Sequence, residues 1–155
     1  MANLTLCFLK YQNSILLINR HKAPFMGMWN AIGGHQEKGE TLLECAIREI
    51  YEETNIKIEK LNFMGKFTWN FDDDIGYIYV GNLEKDFNIN NYPLKNEEGI
   101  VDFKSIEWIE NSHNTGIIND LKIIIPEIFK NQINEYHFIY DEQNQLKSYT
   151  IKKIG

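Results

Sequence analysis

The sequence predicts an α+β domain built on a mixed β-sheet. Three observations carry that expectation. Short β-rich runs recur along the chain between turn residues, one clear amphipathic helix follows a double glycine, and a second helical pattern comes near the C-terminal end. The chain has 155 residues, of which 43% are hydrophobic and 25% charged. That is about one domain's length with ordinary globular composition. Such a chain buries on the order of 68–70% of its unfolded surface, so a single domain over residues 1–155 is expected.

Taken in order, residues 4–10 and 14–20 are β-rich runs separated by Tyr11-Gln12-Asn13, a hairpin signal. A loop over residues 21–29 holds Pro24 and Gly27, and a short segment, Asn30-Ala31-Ile32, runs into Gly33-Gly34. A polar stretch, residues 35–40, leads to a helix over 41–54. Thr41 followed by Glu44 is a capping box, in which each side chain bonds the other's backbone N–H. Residues 56–71 (broken near Gly65), 76–83 and 101–109 read as strands, with Asp72-Asp73-Asp74 as the turn between the first two. Residues 117–130 read as a second helix with a break or kink at Pro126. The tail, residues 136–140 and 146–151 around Asp141-Glu142-Gln143-Asn144, predicts a final hairpin.

Charge and cysteine content narrow the function. Sixteen Lys and Arg against 22 Asp and Glu leave a net charge of −6. A nucleic-acid duplex or an anionic membrane needs clustered basic charge, so neither is expected as the main partner. An acidic protein acting on phosphates requires a metal between the two. Cys7 and Cys45 are the only cysteines. Two thiols make neither a disulfide framework nor a four-cysteine zinc site, and both are read as reduced packing residues. No basic segment leads into an apolar stretch at the start, and no run approaches the ~20 apolar residues of a membrane span. The expectation is a cytoplasmic protein, with a monomer and a homodimer equally open.

The first helix carries the most information. At about 100° per residue, Leu43, Ile47, Ile50 and Tyr51 share one face, expected to pack on the sheet. Glu49, Glu52 and Glu53 fall on a different face, at spacings that bring their carboxylates together. One reading is a solvated acidic face. Against it, like charges at i, i+4 destabilise a helix by roughly 0.2–0.5 kcal/mol per pair. The acids also occupy the last turns, where the macrodipole favours cations. Arg48 is the only basic group nearby in sequence, and one cation does not neutralise three carboxylates. Hard oxygens aimed at one point suit Mg²⁺ or Mn²⁺. On these grounds the two readings stand level. Gly33-Gly34 just before the helix shifts the balance, since glycine permits close backbone approach to a ligand.

Residues 34–56 resemble the Nudix box, G-x5-E-x7-R-E-U-x-E-E-x-G-U, where U is a bulky aliphatic residue. Gly34, Glu40, Arg48, Glu49, Ile50, Glu52, Glu53 and Ile56 match it; Asn55 stands where the pattern has glycine. Asn is the next most tolerant residue of the left-handed turn that closes a helix there. The resemblance implies a Nudix-like α/β/α sandwich around a mixed β-sheet, with a loop-helix-loop catalytic box. It implies that Glu49, Glu52 and Glu53 ligate Mg²⁺ or Mn²⁺, that Arg48 orients them, and that Glu40 supports the loop and the metal's water shell. The Gly34 carbonyl and a carboxylate from a distant loop, for which Glu98 is favoured over Glu97, complete the implied set as ligand or general base. The implied activity is metal-dependent hydrolysis of a nucleoside polyphosphate or an X-linked nucleoside diphosphate by an activated water.

Gly27-Met28-Trp29-Asn30-Ala31-Ile32-Gly33-Gly34 resembles the segment of MutT-type oxidised-purine nucleotide hydrolases, in which the Asn hydrogen-bonds the base. An amide suits that task because it donates and accepts. The plainer reading, that Trp29 covers the core and Asn30 opens a turn, weighs equally. Asn119-Asp120 roughly parallels an acid pair that reads the oxopurine in some of those hydrolases, although one acid is Asn here and the nearby aromatic residue is missing. Helix capping explains that pair as well. His35, in the box loop, is a candidate phosphate contact, whereas His21, His113 and His137 read as surface or packing residues. ADP-ribose, dinucleoside polyphosphates and capped RNA stay open as substrates, as does a sensor that binds a nucleotide without cleaving it.

Overall fold

The computed structural model describes residues 1–22 and 25–155; Pro24 in the predicted loop lies outside them. The chain opens with β1 (Asn3–Tyr11) and β2 (Ser14–Arg20), antiparallel through a turn that puts Gln12 at φ 53°. A short β3 (Trp29–Asn30) pairs with β2. Helix α1 (Leu42–Thr54) follows, then β4 (Asn62–Trp69) and β5 (Ile75–Asn82). A 3₁₀ turn over Ile89–Asn91 leads to a short β6 (Leu94–Lys95) and to β7 (Gly99–Ser105). Helices α2 (Ile106–Glu110) and α3 (Asn119–Phe129) precede the hairpin of β8 (Asn134–Tyr140) and β9 (Leu146–Lys153).

All the described strands join one mixed sheet in the order β6-β7-β2-β1-β5-β4-β8-β9, with β3 beside β2. The pairs β1–β5 and β4–β8 are parallel and the others antiparallel. Alternate residues of a strand point to opposite faces, and here both faces of the centre are covered. Phe8, Ile15 and Leu17 face α3, where Leu121, Ile124, Ile125 and Ile128 close over them. Cys7, Leu9, Leu16 and Ile18 face the other way, against Ala46 and Ile50 of α1. The expected sandwich is therefore formed, with α1 and α3 on opposite sides.

The structure departs from expectation in four places. Helix α1 buries Cys45, Ala46, Ile50, Glu53 and Thr54, while Leu43 and Tyr51 stay exposed. The helix lies close to β1, and the small side chains of Cys45 and Ala46 permit that approach, so the packing stripe is rotated towards Glu53. Residues 56–61 form no strand; Ile56, Ile58 and Leu61 pack under α1 as a loop, with the Ile56 N–H donating to Thr54 Oγ1. Strand β7 stops at Ser105, whose hydroxyl accepts from the Trp108 N–H and starts α2 inside the stretch expected to stay extended. Of the break or kink expected at Pro126, the break is not formed: α3 is continuous there, with Ile124, Ile125 and Ile128 on either side held in the core.

Candidate active site

The box loop is laid along β1 like a short extra strand. Cys7 N–H donates to Ile32 O at 2.7 Å, Thr5 N–H to Gly34 O at 2.8 Å, and Gln36 N–H to Asn3 O at 2.9 Å. This close approach explains the first glycine: a Cβ on Gly33, whose φ is 145°, would lie 2.0 Å from the Thr5 carbonyl oxygen. The second is needed for a different reason, because a Cβ on Gly34 would lie 2.5 Å from Glu49 Oε1. Both parts of the predicted capping box are present at Thr41 and Glu44, and Asn55 closes α1 in the left-handed conformation at φ 63°. The helix is thereby anchored at each end beside the glycine loop.

Arg48 organises the acids. Its Nε and Nη2 donate to the two oxygens of Glu40 at 3.0 and 2.8 Å, a bidentate pair, and Nη2 also reaches the His35 carbonyl at 3.3 Å. Its Nη1 lies 3.0 Å from Glu49, 3.3 Å from Glu52 and 3.5 Å from Glu37. Hydrogen bonds from Arg48 and from the Glu37 N–H hold the Glu40 carboxyl down to about 2. Glu53 has the opposite environment. It is 7% exposed, its Oε2 accepts from the Gly33 N–H at 2.9 Å, and burial together with Glu49 and Glu98 pushes it up to about 8 despite that bond. Burial also raises Glu49, against the pull of Arg48.

A cleft of about 760 Å³ opens over these groups. Gly34, His35, Glu49, Glu52, Glu53 and Glu98 line it, as do Arg20, Asn96 and Glu97. Arg48 and Glu40 stand immediately behind. The box acids are held by separate partners here. Glu49, Glu52 and Glu53 do not aim at one point: Arg48 draws Glu49 and Glu52 towards itself, while Glu53 turns to Gly33. Among the described residues, no three His, Cys, Asp or Glu side chains are gathered in a ready metal cage. The Gly34 carbonyl accepts from the Thr5 N–H, and it is the Gly33 N–H that meets a box carboxylate. The donor set nonetheless fits a hard divalent cation. Burial first, and then the charges of Glu49 and Glu98, raise Glu53, and a bound cation would offset both. Arg20, distant in sequence, is a second basic residue at the cleft, which the reading of Arg48 as the sole nearby cation missed.

The residues expected to hold a base lie apart from the acidic cleft. Trp29 packs edge-on to Trp108, with Lys104 Nζ 4.4 Å from its ring centre. Asn30 Oδ1 accepts from the Ala31 N–H at 2.8 Å. The Trp29 backbone bonds Gly116 and Ile118, which brings this segment to the start of α3. There Asp120, 6% exposed, accepts from Trp69 Nε1 at 2.8 Å and from the Tyr140 hydroxyl. Helix capping does not account for it, since Ile118 occupies the cap position and no side chain caps α3. Trp69 of β4 stands beside Asp120, and Phe71 stacks on its ring with centres 5.3 Å apart. No sequence pattern near Asp120 signals that pairing, because it joins elements 51 positions apart.

Comparison with known proteins bears on the fold and the family. NudC of Vibrio parahaemolyticus, an NAD-capped RNA hydrolase, is 33% identical over 73 residues, 47% of this chain and 28% of that protein. NudC of Haemophilus influenzae is 39% identical over 61 residues, 38% of this chain and 23% of its own. The chain thus spans less than a third of the length of these curated relatives. The crystal structure of the MutT mutator protein from Bacillus halodurans superposes with a TM-score of 0.78 at 22% identity, covering 97% of each chain. A NUDIX hydrolase from Nitrosomonas europaea gives 0.67 at 22% identity, over 91% of this chain and 79% of that one. At such identity these structures speak to the fold. The family model of the NUDIX domain matches residues 3–124, and the chain belongs to the Nudix family.

Proposed function

We propose that residues 1–155 act as one domain that hydrolyses a phosphoric anhydride, with Mg²⁺ or Mn²⁺, in a nucleoside polyphosphate or an X-linked nucleoside diphosphate. The observation that carries this reading is Glu53, a buried carboxylate held on the Gly33 N–H beside Glu49 and Glu98 at the floor of the cleft. A bound divalent cation supplies charge neutralisation and a lowered pKa for water. Glu49, Glu52, Glu53, Glu98 and the Gly34 carbonyl are the groups proposed to hold it. Arg48, gripped by Glu40, fixes Glu49 and Glu52 by ion pairs at the edge of the cleft, and Glu98 would accept the proton of an attacking water. His35 lies on the cleft wall for a phosphate oxygen. Trp29, Asn30 and Asp120 stand around the start of α3 as the proposed base-binding end, with Asp120 holding Trp69 and Tyr140.

Oxidised purine nucleotides are the first substrate to try, on the Trp29-Asn30 segment. The relatives named NAD-capped RNA hydrolase favour a second, NAD-like diphosphate. Two buried free cysteines suit a cytoplasmic location, and among the described residues no helix is long and apolar enough to cross a membrane. The test is release of pyrophosphate or phosphate from normal and oxidised dNTPs, ADP-ribose, NAD and diadenosine polyphosphates, with Mg²⁺ or Mn²⁺. Metal-dependent turnover is expected, reduced at least ~100-fold in Glu53→Gln. Nucleotide binding with no turnover of any compound defeats the hydrolase reading and leaves a sensor.

A further inference from the structure

The hairpin turn joining β6 to β7 carries Glu97 and Glu98, and its first residue is Asn96. The Asn96 N–H donates to the Gly99 carbonyl at 2.8 Å, and Asn96 Oδ1 accepts from the N–H groups of Glu98 at 2.8 Å and Gly99 at 3.0 Å. Those bonds are the ordinary content of an Asx turn. A further bond is not. Asn96 Nδ2 donates across 43 positions to the Glu53 carbonyl oxygen at 2.5 Å. That carbonyl belongs to the last four of α1, which have no partner within their own helix. One amide therefore joins the turn bearing Glu98 to the end of the helix bearing Glu53, and both side chains face the same cleft. From the other side the turn is pinned by the His21 N–H, which donates to the Glu98 carbonyl at 3.3 Å.

We infer that Asn96 is a positioning residue of the site: its amide sets the spacing between Glu98 and Glu53, and so the affinity of the cleft for a divalent cation. The inference rests on the hydrolase reading above. The task needs an acceptor and a donor on one short side chain, which Asn has and Asp lacks. If Asn96 served only to shape the turn, Asp would replace it, since its carboxylate still accepts from Glu98 and Gly99. As a tether Asp fails, because it faces the Glu53 carbonyl with a second acceptor.

The experiment titrates Mn²⁺ into the metal-free full chain, without substrate, following free Mn²⁺ by electron paramagnetic resonance. It compares wild type with Asn96→Asp, Asn96→Ala and Glu53→Gln. Both Asn96 variants are expected to bind Mn²⁺ about 10-fold more weakly or worse, the usual effect of losing a group that supports a metal ligand. In turnover assays the metal concentration needed for half-activity rises in parallel, while much of kcat returns at saturating Mg²⁺. The added negative charge of Asp favours cation binding, so a loss in that variant reports the tether. Should Asn96→Ala fail to fold, Asn96→Asp carries the test, since it keeps the turn. Wild-type affinity in Asn96→Asp overturns the inference and leaves the hydrolase reading standing. If wild type binds no Mn²⁺, or Glu53→Gln binds it as tightly, the hydrolase reading falls, and this inference with it.

Discussion

Adjacent glycines at the site are required by different neighbours, and that difference is measurable. Alanine at Gly33 drives a methyl group into the Thr5 backbone at a positive φ, where nothing flexible can yield. Gly33→Ala is expected to cost about 3 kcal/mol or more of stability, read as a lowered denaturation midpoint. Alanine at Gly34 meets only the end of the Glu49 side chain. Gly34→Ala is expected to keep a near-normal denaturation midpoint and to lose turnover, because Glu49 is displaced. Equal stability loss in both variants would refute this division of labour. The two positions are indistinguishable as letters; their roles come from β1 on one side and α1 on the other.

Among the elements, those with local chemical signals were legible and those set by distant partners were not. The β1–β2 hairpin, the capped α1, the acidic turn before β5 and the C-terminal hairpin all follow from turn and cap residues. Thr41→Ala should confirm that the cap matters, lowering stability by about 1 kcal/mol in thermal unfolding. The buried face of α1 was misread because hydrophobicity alone ranks Leu43 and Tyr51 above Cys45 and Ala46, whereas closeness to the sheet ranks small size first. Helix α3 runs on through Pro126, since the loss of one helical hydrogen bond is outweighed by the buried isoleucines around it. Pro126→Ala restores that bond at the cost of unfolded-state rigidity and some packing. A gain on the order of 1 kcal/mol is expected, visible as a higher midpoint. At the site, Glu49, Glu52 and Glu53 were readable from spacing, and the other box residues from their resemblance to the Nudix pattern. The Trp69–Asp120 pair and the Asn96 tether were not, since each joins positions more than 40 apart.

For the whole molecule the acid cluster predicts how stability follows pH. Glu53 ionises near 4.5 when unfolded and at about 8 when folded, so between those values the native chain holds a proton that the unfolded chain has released. Stability of the metal-free protein therefore falls as pH rises through that window, by up to about 1.4 kcal/mol per pH unit for one proton. Below pH 4.5 both states are protonated and the contribution is fully present. Thermal unfolding in EDTA is expected to show a lower midpoint at pH 8 than at pH 5.5, and Mg²⁺ to raise it at pH 8 far more than at pH 5.5. A midpoint that climbs with pH in EDTA would contradict a protonated Glu53.

The parallel pairing of β1 with β5 bears on how the chain is made. Asn3 finds its partner at Ile75, and the register continues to Lys10 and Asn82. A ribosome adding roughly 5–20 residues per second needs about 4–14 s to deliver those partners after β1 has emerged. Through that interval the run from Leu4 to Leu9 has on one side the β2 hairpin and the box loop over residues 32–36, and nothing on the other. Strand β2 waits longer still, since Ser14 finds its partner at Ser105 and Arg20 at Gly99, so the first two strands made are both left with an open edge during synthesis, the window in which a chaperone would meet them.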